Sequence, residues 1–127
     1  YNCVNAAMPA FLRKHSGSVI TVSSMWGQVG ASCEAAYSAT KGAILSFTKA
    51  LAKEVADRGV TVNSISPGMV NTSKNPDIDA TQPNGASYVG RTGSARENAD
   101  LICFLASEKA AFISGQNVQI DGCRKSI

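Results

Sequence analysis

Histidine is all but missing from this 127-residue sequence, with His15 standing alone, and the four cysteines, Cys3, Cys33, Cys103 and Cys123, include no C-x-x-C pair. A structural zinc site needs about four nitrogen or sulfur ligands at short spacings, so no metal centre is expected. Scattered cysteines in a sequence without a signal-peptide pattern read as reduced structural thiols of a cytoplasmic protein. His15 follows Arg13 and Lys14 near a helix end, where cations suit the dipole, and is given no catalytic role.

Other absences exclude further classes. The net charge is only +3, and Arg13-Lys14 and Arg124-Lys125 are isolated basic pairs rather than a stripe interleaved with aromatics, so no nucleic-acid partner is expected. No apolar run approaches the length of a membrane span, and no membrane partner is expected. A G-x-G-x-x-G fingerprint is also missing, since Gly27-Gln28-Val29-Gly30 is too short to cradle phosphates. There is no internal repeat and no low-complexity segment. The length and a hydrophobic content of 44% suit one globular domain.

Within that domain, strands and helices alternate. Val4, Ala7, Met8, Phe11 and Leu12 recur at helical spacing, which predicts a helix over 2–14 stopped by Ser16-Gly17. Val19-Ile20-Thr21-Val22 is short, β-branched and without polar alternation, as expected of a parallel strand buried on both faces. Residues 25–32 read as a loop, Ser32 as an N-cap with Glu34 in the first turn, and the next stretch as a long helix. That helix carries Ala43, Ile44, Phe47, Leu51 and Val55 on one side and ends before Gly59. A second strand over 60–66 is ended by Pro67-Gly68. Residues 69–91 are rich in Asn, Asp, Thr, Pro and Gly and too long for a simple connection. Ser94-Ala95-Arg96-Glu97 reads as a capping box opening a helix with Leu101, Ile102 and Leu105 inward, and Val118-Gln119-Ile120 as a last strand. Such alternation implies an α/β doubly wound fold with a mostly parallel sheet. Three strands under three helices would leave an open sheet edge.

The sequence is organised around Ala36-Tyr37-Ser38-Ala39-Thr40-Lys41-Gly42, with Ser24 upstream at the C-terminal end of a predicted strand, the edge where open α/β sheets bind ligands. Tyr37 and Lys41, four apart on a helix, share a face. A phenol is a sluggish proton donor and acceptor at neutral pH, and an ammonium about 5 Å away at an effective dielectric of about 20 favours its ionised form by roughly 3 kcal/mol. Singly, Ser24 reads as a turn cap, Tyr37 as a half-buried helix residue and Lys41 as a solvated charge. Together, in these positions, they form an acid-base device. Ser38-Ala39-Thr40-Lys41 also fits the S-x-x-K of serine acyl-transferases, with Arg91-Thr92-Gly93 near K-T-G, but the intervening S-D-N is absent and the chain is too short for that fold. Trp26 divides evenly between lining a substrate pocket and anchoring a loop.

Ser24, Tyr37-Ser38-Ala39-Thr40-Lys41 and Asn63-Ser64-Ile65-Ser66-Pro67-Gly68 resemble the short-chain dehydrogenase/reductase family. Phe104-Leu105-Ala106-Ser107, Ile113-Ser114-Gly115-Gln116 and Asp121-Gly122 resemble the closing segment of its 3-oxoacyl-carrier-protein reductase branch. The resemblance implies a Rossmann-like fold and an oxidoreductase interconverting a secondary alcohol and a ketone by hydride transfer with NAD or NADP. It implies that Ser24 bonds the carbonyl or alkoxide oxygen, that Tyr37 exchanges a proton with it, and that Lys41 assists Tyr37 and holds the nicotinamide ribose. Pro67, Gly68, Val70 and Thr72 would contact the cofactor near the nicotinamide, and Trp26 the substrate, a small-molecule alcohol or ketone. Residues 69–91 would cover that substrate. The family has about twice this length, and the sequence opens at Tyr1 in a helix-like pattern without an initiator methionine. Residues 1–127 are therefore expected to be the C-terminal half of a Rossmann-like domain, with the N-terminal cofactor-binding half absent. Intact, it would be a homodimer or homotetramer joined through the helices of Phe11 and Phe47; alone, it could be a fragment with the fold elements and no activity.

Overall fold

A computed structural model describes residues 1–73 and 87–125. Helix α1 (Asn2–Lys14) leads into strand β1 (Gly17–Val22), then helices α2 (Met25–Val29) and α3 (Ala35–Val55) precede strand β2 (Val60–Pro67). After the short strands β3 (Val70–Asn71) and β4 (Gly93–Ser94) come helix α4 (Ala95–Leu105) and strand β5 (Asn117–Ile120). Strands β1, β2 and β5 form one sheet in the order β1-β2-β5, all parallel, with Val22 opposite Ile65 and Pro67 opposite Ile120. Parallel pairing puts the C-terminal ends of all three strands along a single edge. The fold is α/β, Rossmann-like and doubly wound.

Both faces of the sheet are covered. On one, Met8, Phe11 and Leu12 of α1 and Leu51, Ala52 and Val55 of α3 pack on Val19, Val60 and Val62. On the other, Leu101, Ile102 and Leu105 of α4, with Ala110 and Ile113, pack on Ile20, Ile65 and Val118. Val62, Ile65 and Leu105 are fully buried, and each such side chain removed from water contributes about 1.5–3 kcal/mol before entropy is counted. The centre of the sheet also buries polar side chains. Asn63, without exposed surface, donates from Nδ2 to the Ile113 carbonyl at 2.7 Å and accepts the Gln116 N–H at 3.1 Å. Thr21 and Thr48 join their hydroxyls at 2.7 Å across the β1–α3 contact.

Several local expectations are corrected. Residues 25–29 form α2 rather than a loop, because the Ser24 side chain accepts the Trp26 N–H as an N-cap and Gly30, at φ 75°, ends the helix within two turns. Ser32 caps nothing; the N-cap of α3 is Glu34, whose side chain makes no cap bond. Of the stripe expected on α3, Val55 is buried and Ile44, Phe47 and Leu51 are partly buried, whereas Ala43 is exposed; Thr48 and Ala52 join Val55 as the buried residues. The stop of α1 is made by His15 in the left-handed region, φ 50°, while Gly17 already belongs to β1. All four cysteines are free and exposed, so none acts as a packed structural thiol. Strand β1 is only partly buried, with Val22 45% exposed, because no strand among the described residues pairs with its outer edge. The capping box at Ser94 and Glu97 forms as expected. Expectations for 74–86, the greater part of the covering segment, lie outside the described residues. No described helix is long and apolar enough to cross a membrane.

Candidate active site at the C-terminal edge of the sheet

Ser24 stands two residues past the end of β1, is 7% exposed, and caps α2 through the Trp26 N–H at 3.2 Å. That bond uses one lone pair of Oγ. Among the described residues its hydroxyl proton has no acceptor, so Ser24 can still donate to an oxygen in the cleft. The turn-cap role and a site role are therefore compatible.

Helix α3 brings Tyr37 and Lys41 to the same edge. Lys41 Nζ lies 5.6 Å from the centre of the Tyr37 ring, the same-face placement that the spacing of four predicts. Two bonds fasten this part of α3 to the end of β1: Lys41 Nζ donates to the Val22 carbonyl at 3.1 Å, and Ser23 Oγ donates to the Lys41 carbonyl at 2.8 Å. Tyr37 is 42% exposed.

Helix α2 is pressed onto α3 at this level. Gly27 faces Lys41 so closely that a β-carbon there would lie 2.7 Å from the Lys41 carbonyl carbon. Farther along, Ser38 Oγ accepts the Ala31 N–H at 3.1 Å and ties down the α2–α3 connection. Gln119 on β5 donates to the side-chain oxygen of Gln28 on α2, bracing α2 from the far side of the sheet. Trp26 sits on α2 two residues after Ser24, partly exposed.

The second group, Pro67, Gly68, Val70 and Thr72, forms one continuous strip leaving the end of β2. Ser23 N–H donates to the Ile65 carbonyl at 2.8 Å, so β1 and β2 stay paired up to the start of this strip. Pro67, Gly68 and Val70 are half-buried and Thr72 is exposed. The structure thus brings Ser24, Trp26, Tyr37 and Lys41 around α2 and α3, and sets the strip on the adjacent strand end.

Three contributors escaped sequence reasoning. Nothing in the sequence sets Ser23 apart, Gly27 reads as a loop glycine, and β3 and β4 are too short to carry a periodic signal. A small residue recurring beside a long helix, as Gly27 does beside Gly42, was the available sign of close helix approach. A separate cavity of about 540 Å³, lined in part by His15, Gly17, Thr61 and Phe112, opens at the N-terminal ends of β1 and β2, away from this edge. Among the described residues no group of His, Cys, Asp and Glu could hold a metal ion.

Open doubly wound α/β sheets bind their ligands along the C-terminal edge, where Ser24, Tyr37 and Lys41 lie. The comparisons narrow the class. The family model described as enoyl-(acyl carrier protein) reductase matches residues 1–123. An uncharacterised oxidoreductase, YmfI of Bacillus subtilis strain 168, is 42% identical over 125 residues, which is 96% of this chain and 52% of that protein. The 3-oxoacyl-[acyl-carrier-protein] reductase FabG of Escherichia coli K12 is 38% identical over 120 residues, 92% of this chain and 49% of FabG. The crystal structure of 3-oxoacyl-[acyl-carrier protein] reductase from Brucella melitensis superposes with a TM-score of 0.85 at 31% identity, covering 95% of this chain and 47% of that one. The chain belongs to the short-chain dehydrogenase/reductase family of oxidoreductases, on a branch whose members include the 3-oxoacyl-[acyl-carrier-protein] reductases. It spans about half the length of the curated relatives it matches.

Proposed function

We propose that this chain is the catalytic, C-terminal half of an NAD- or NADP-dependent oxidoreductase that interconverts a secondary alcohol and a ketone. The observation that carries the proposal is the fastening of Lys41, and with it Tyr37, to the end of β1 immediately before Ser24.

Ser24 donates its free hydroxyl proton to the substrate oxygen and draws charge onto it. Tyr37 passes its phenolic proton to that oxygen during reduction, or takes one from the alcohol during oxidation. Lys41, on the same face, favours the phenolate and offers its remaining ammonium protons to ribose hydroxyls. The donor set fits the nicotinamide end of a dinucleotide: an ammonium, a phenol, the Thr72 hydroxyl and the half-buried surface of Pro67, Gly68 and Val70. When bound, the nicotinamide supplies or accepts the hydride. Trp26, following Ser24, offers an apolar wall to a small alcohol or ketone.

The proposal concerns the whole protein. No glycine-rich turn for a pyrophosphate occurs in this sequence, and the outer edge of β1 is unpaired among the described residues. The isolated chain is accordingly expected to bind cofactor poorly and to lack turnover until an N-terminal half is supplied in the same polypeptide or as a complementing one. In the intact protein, α1 and α3 would join subunits into a homodimer or homotetramer, through the exposed small residues Ala39, Ala43 and Ala50; Ala52 on the same helix is buried in the core and takes no part. Sedimentation of the full-length protein as a monomer at micromolar concentration would remove the oligomer from the proposal.

Tyr37→Phe tests the chemistry. The ring stays and the proton goes, so turnover of any ketone that the wild type reduces should fall by at least about 100-fold with cofactor binding retained. A Tyr37→Phe enzyme with near-normal kcat would refute the role of Tyr37.

A further inference from the structure

Beyond these residues, the strip that leaves β2 is held in place by a clasp whose side chains lie outside the proposed site. Strand β3 pairs in parallel with β4, Val70 opposite Gly93 and Asn71 opposite Ser94, and the Gly93 N–H donates to the Met69 carbonyl at 2.9 Å. Strand β4 is only two residues long, so its ladder bonds alone hold it weakly. Beside it runs a fork of charge-assisted bonds between two half-exposed side chains. Arg91 Nη2 and Nη1 donate to the two carboxylate oxygens of Glu97 at 2.6 and 3.0 Å, and Nη1 also donates to the Thr92 carbonyl at 3.0 Å. The same carboxylate accepts the Ser94 N–H at 2.8 Å and the Ser94 hydroxyl at 3.0 Å, while Asn98 Nδ2 donates to the Ser94 carbonyl at 2.9 Å. Glu97 is thus the one side chain that joins Arg91 before β4, Ser94 within it and the first turn of α4. Bidentate arginine-carboxylate pairing adds direction as well as strength, and here it runs alongside the backbone of 91–94.

We infer that Arg91 and Glu97 are positioning residues for cofactor: by holding β4 in register against β3, they set the place of Val70 and Thr72 at the nicotinamide end of the site. This inference rests on the assignment of that strip to cofactor under the proposed function. Neither residue touches substrate or cofactor in this scheme. Their effect is to keep the strip from relaxing away from the end of β2, so cofactor must otherwise order it on binding, at a cost to affinity.

The test uses the full-length protein with Arg91→Ala, Arg91→Lys, Glu97→Gln, Ser94→Ala and Tyr37→Phe. Arg91→Ala should raise the KM for the preferred nicotinamide cofactor about tenfold and leave the KM for the carbonyl substrate within about twofold. Arg91→Lys keeps the charge and loses the fork, and should fall between wild type and alanine. Glu97→Gln should raise the cofactor KM in the same direction. Ser94→Ala removes the cap of α4 and one bond to the Glu97 carboxylate but leaves the Arg91 fork, so it should lower the melting temperature while moving the cofactor KM by no more than about twofold. If Arg91→Ala and Arg91→Lys lower the melting temperature as Ser94→Ala does while cofactor KM stays within twofold of wild type, the clasp is structural only and the inference is overturned. Tyr37→Phe separates the two claims: retained turnover there refutes the proposed chemistry, whereas an unmoved cofactor KM in the Arg91 variants refutes the clasp.

Discussion

Replacing Gly27 by alanine tests whether the contact between α2 and α3 sets the geometry of the site. A β-carbon at this position would lie 2.7 Å from the Lys41 carbonyl carbon, 2.8 Å from Lys41 Cβ and 2.8 Å from Ser23 Oγ, where ordinary contact is 3.4–4 Å. The nearest of these atoms is main chain inside a 21-residue helix and cannot swing aside. Helix α2 must retreat instead, by roughly 0.7 Å or more, at an overpacking cost of about 1–3 kcal/mol. Removing a glycine from a helix interior returns up to about 1 kcal/mol. Overpacking wins because α2 is short and gains little from propensity, which leaves a net loss of about 1–2 kcal/mol. The functional effect is larger than the loss of stability suggests. Ser24 is the cap of α2, and Ser23 is bonded to Lys41, so the retreat shifts the serine relative to the Tyr37–Lys41 face. A displacement approaching 1 Å can cost up to about 100-fold in turnover. Urea unfolding and steady-state kinetics on the full-length protein measure both quantities. A Gly27→Ala protein that is as stable as wild type, with kcat within twofold, would show that α2 does not set the site.

Two further perturbations address other parts of the structure. Asn63→Ala strips the Ile113 carbonyl and the Gln116 N–H of their side-chain partner beside a fully buried position; a loss of about 2–4 kcal/mol is expected in urea unfolding, and a loss below about 1 kcal/mol would mean that water replaces both bonds. Glu97 is held at about 2, below its ordinary 4.5, first by the hydrogen bond from Arg91 and then by those from the Ser94 N–H and hydroxyl. Its folded-state value lies below the unfolded one, so the unfolded chain binds more protons in this window and stability rises with pH. The contribution of Glu97 is complete above about pH 4.5 and is lost as pH falls toward 2. Melting temperature against pH for wild type and Glu97→Gln should therefore diverge above pH 4.5 and converge toward pH 2, and parallel curves would contradict the clasp.

Sequence periodicity alone located α1, β1, β2, α4 and β5, because each buries a stripe or run of apolar side chains whose spacing is local. It also put Tyr37 and Lys41 on one face, since four residues nearly complete a helical turn. The capping box at Ser94 and Glu97 was legible for the same reason: donor and acceptor lie three residues apart. Helix α2 and strands β3 and β4 were not legible, being too short to show a period. The two strands exist only by pairing across the chain, Val70 against Gly93, and α2, capped locally by Ser24, is seated by the contact of Gly27 with Lys41. Exposure was likewise decided only by the tertiary structure. Ala43 and the four cysteines looked suited to packing, yet which side of a helix meets the sheet depends on where β1 and β2 lie, and that is a property of long-range contact. The fastening of Lys41 to Val22 and the second role of Ser24 as a helix cap belong to the same class. The first requires a strand end and a helix turn about 20 residues apart to arrive at one point, which only the folded chain brings about; the second is a local bond to the Trp26 N–H, and what the fold decides is that the capped serine lies beside Lys41.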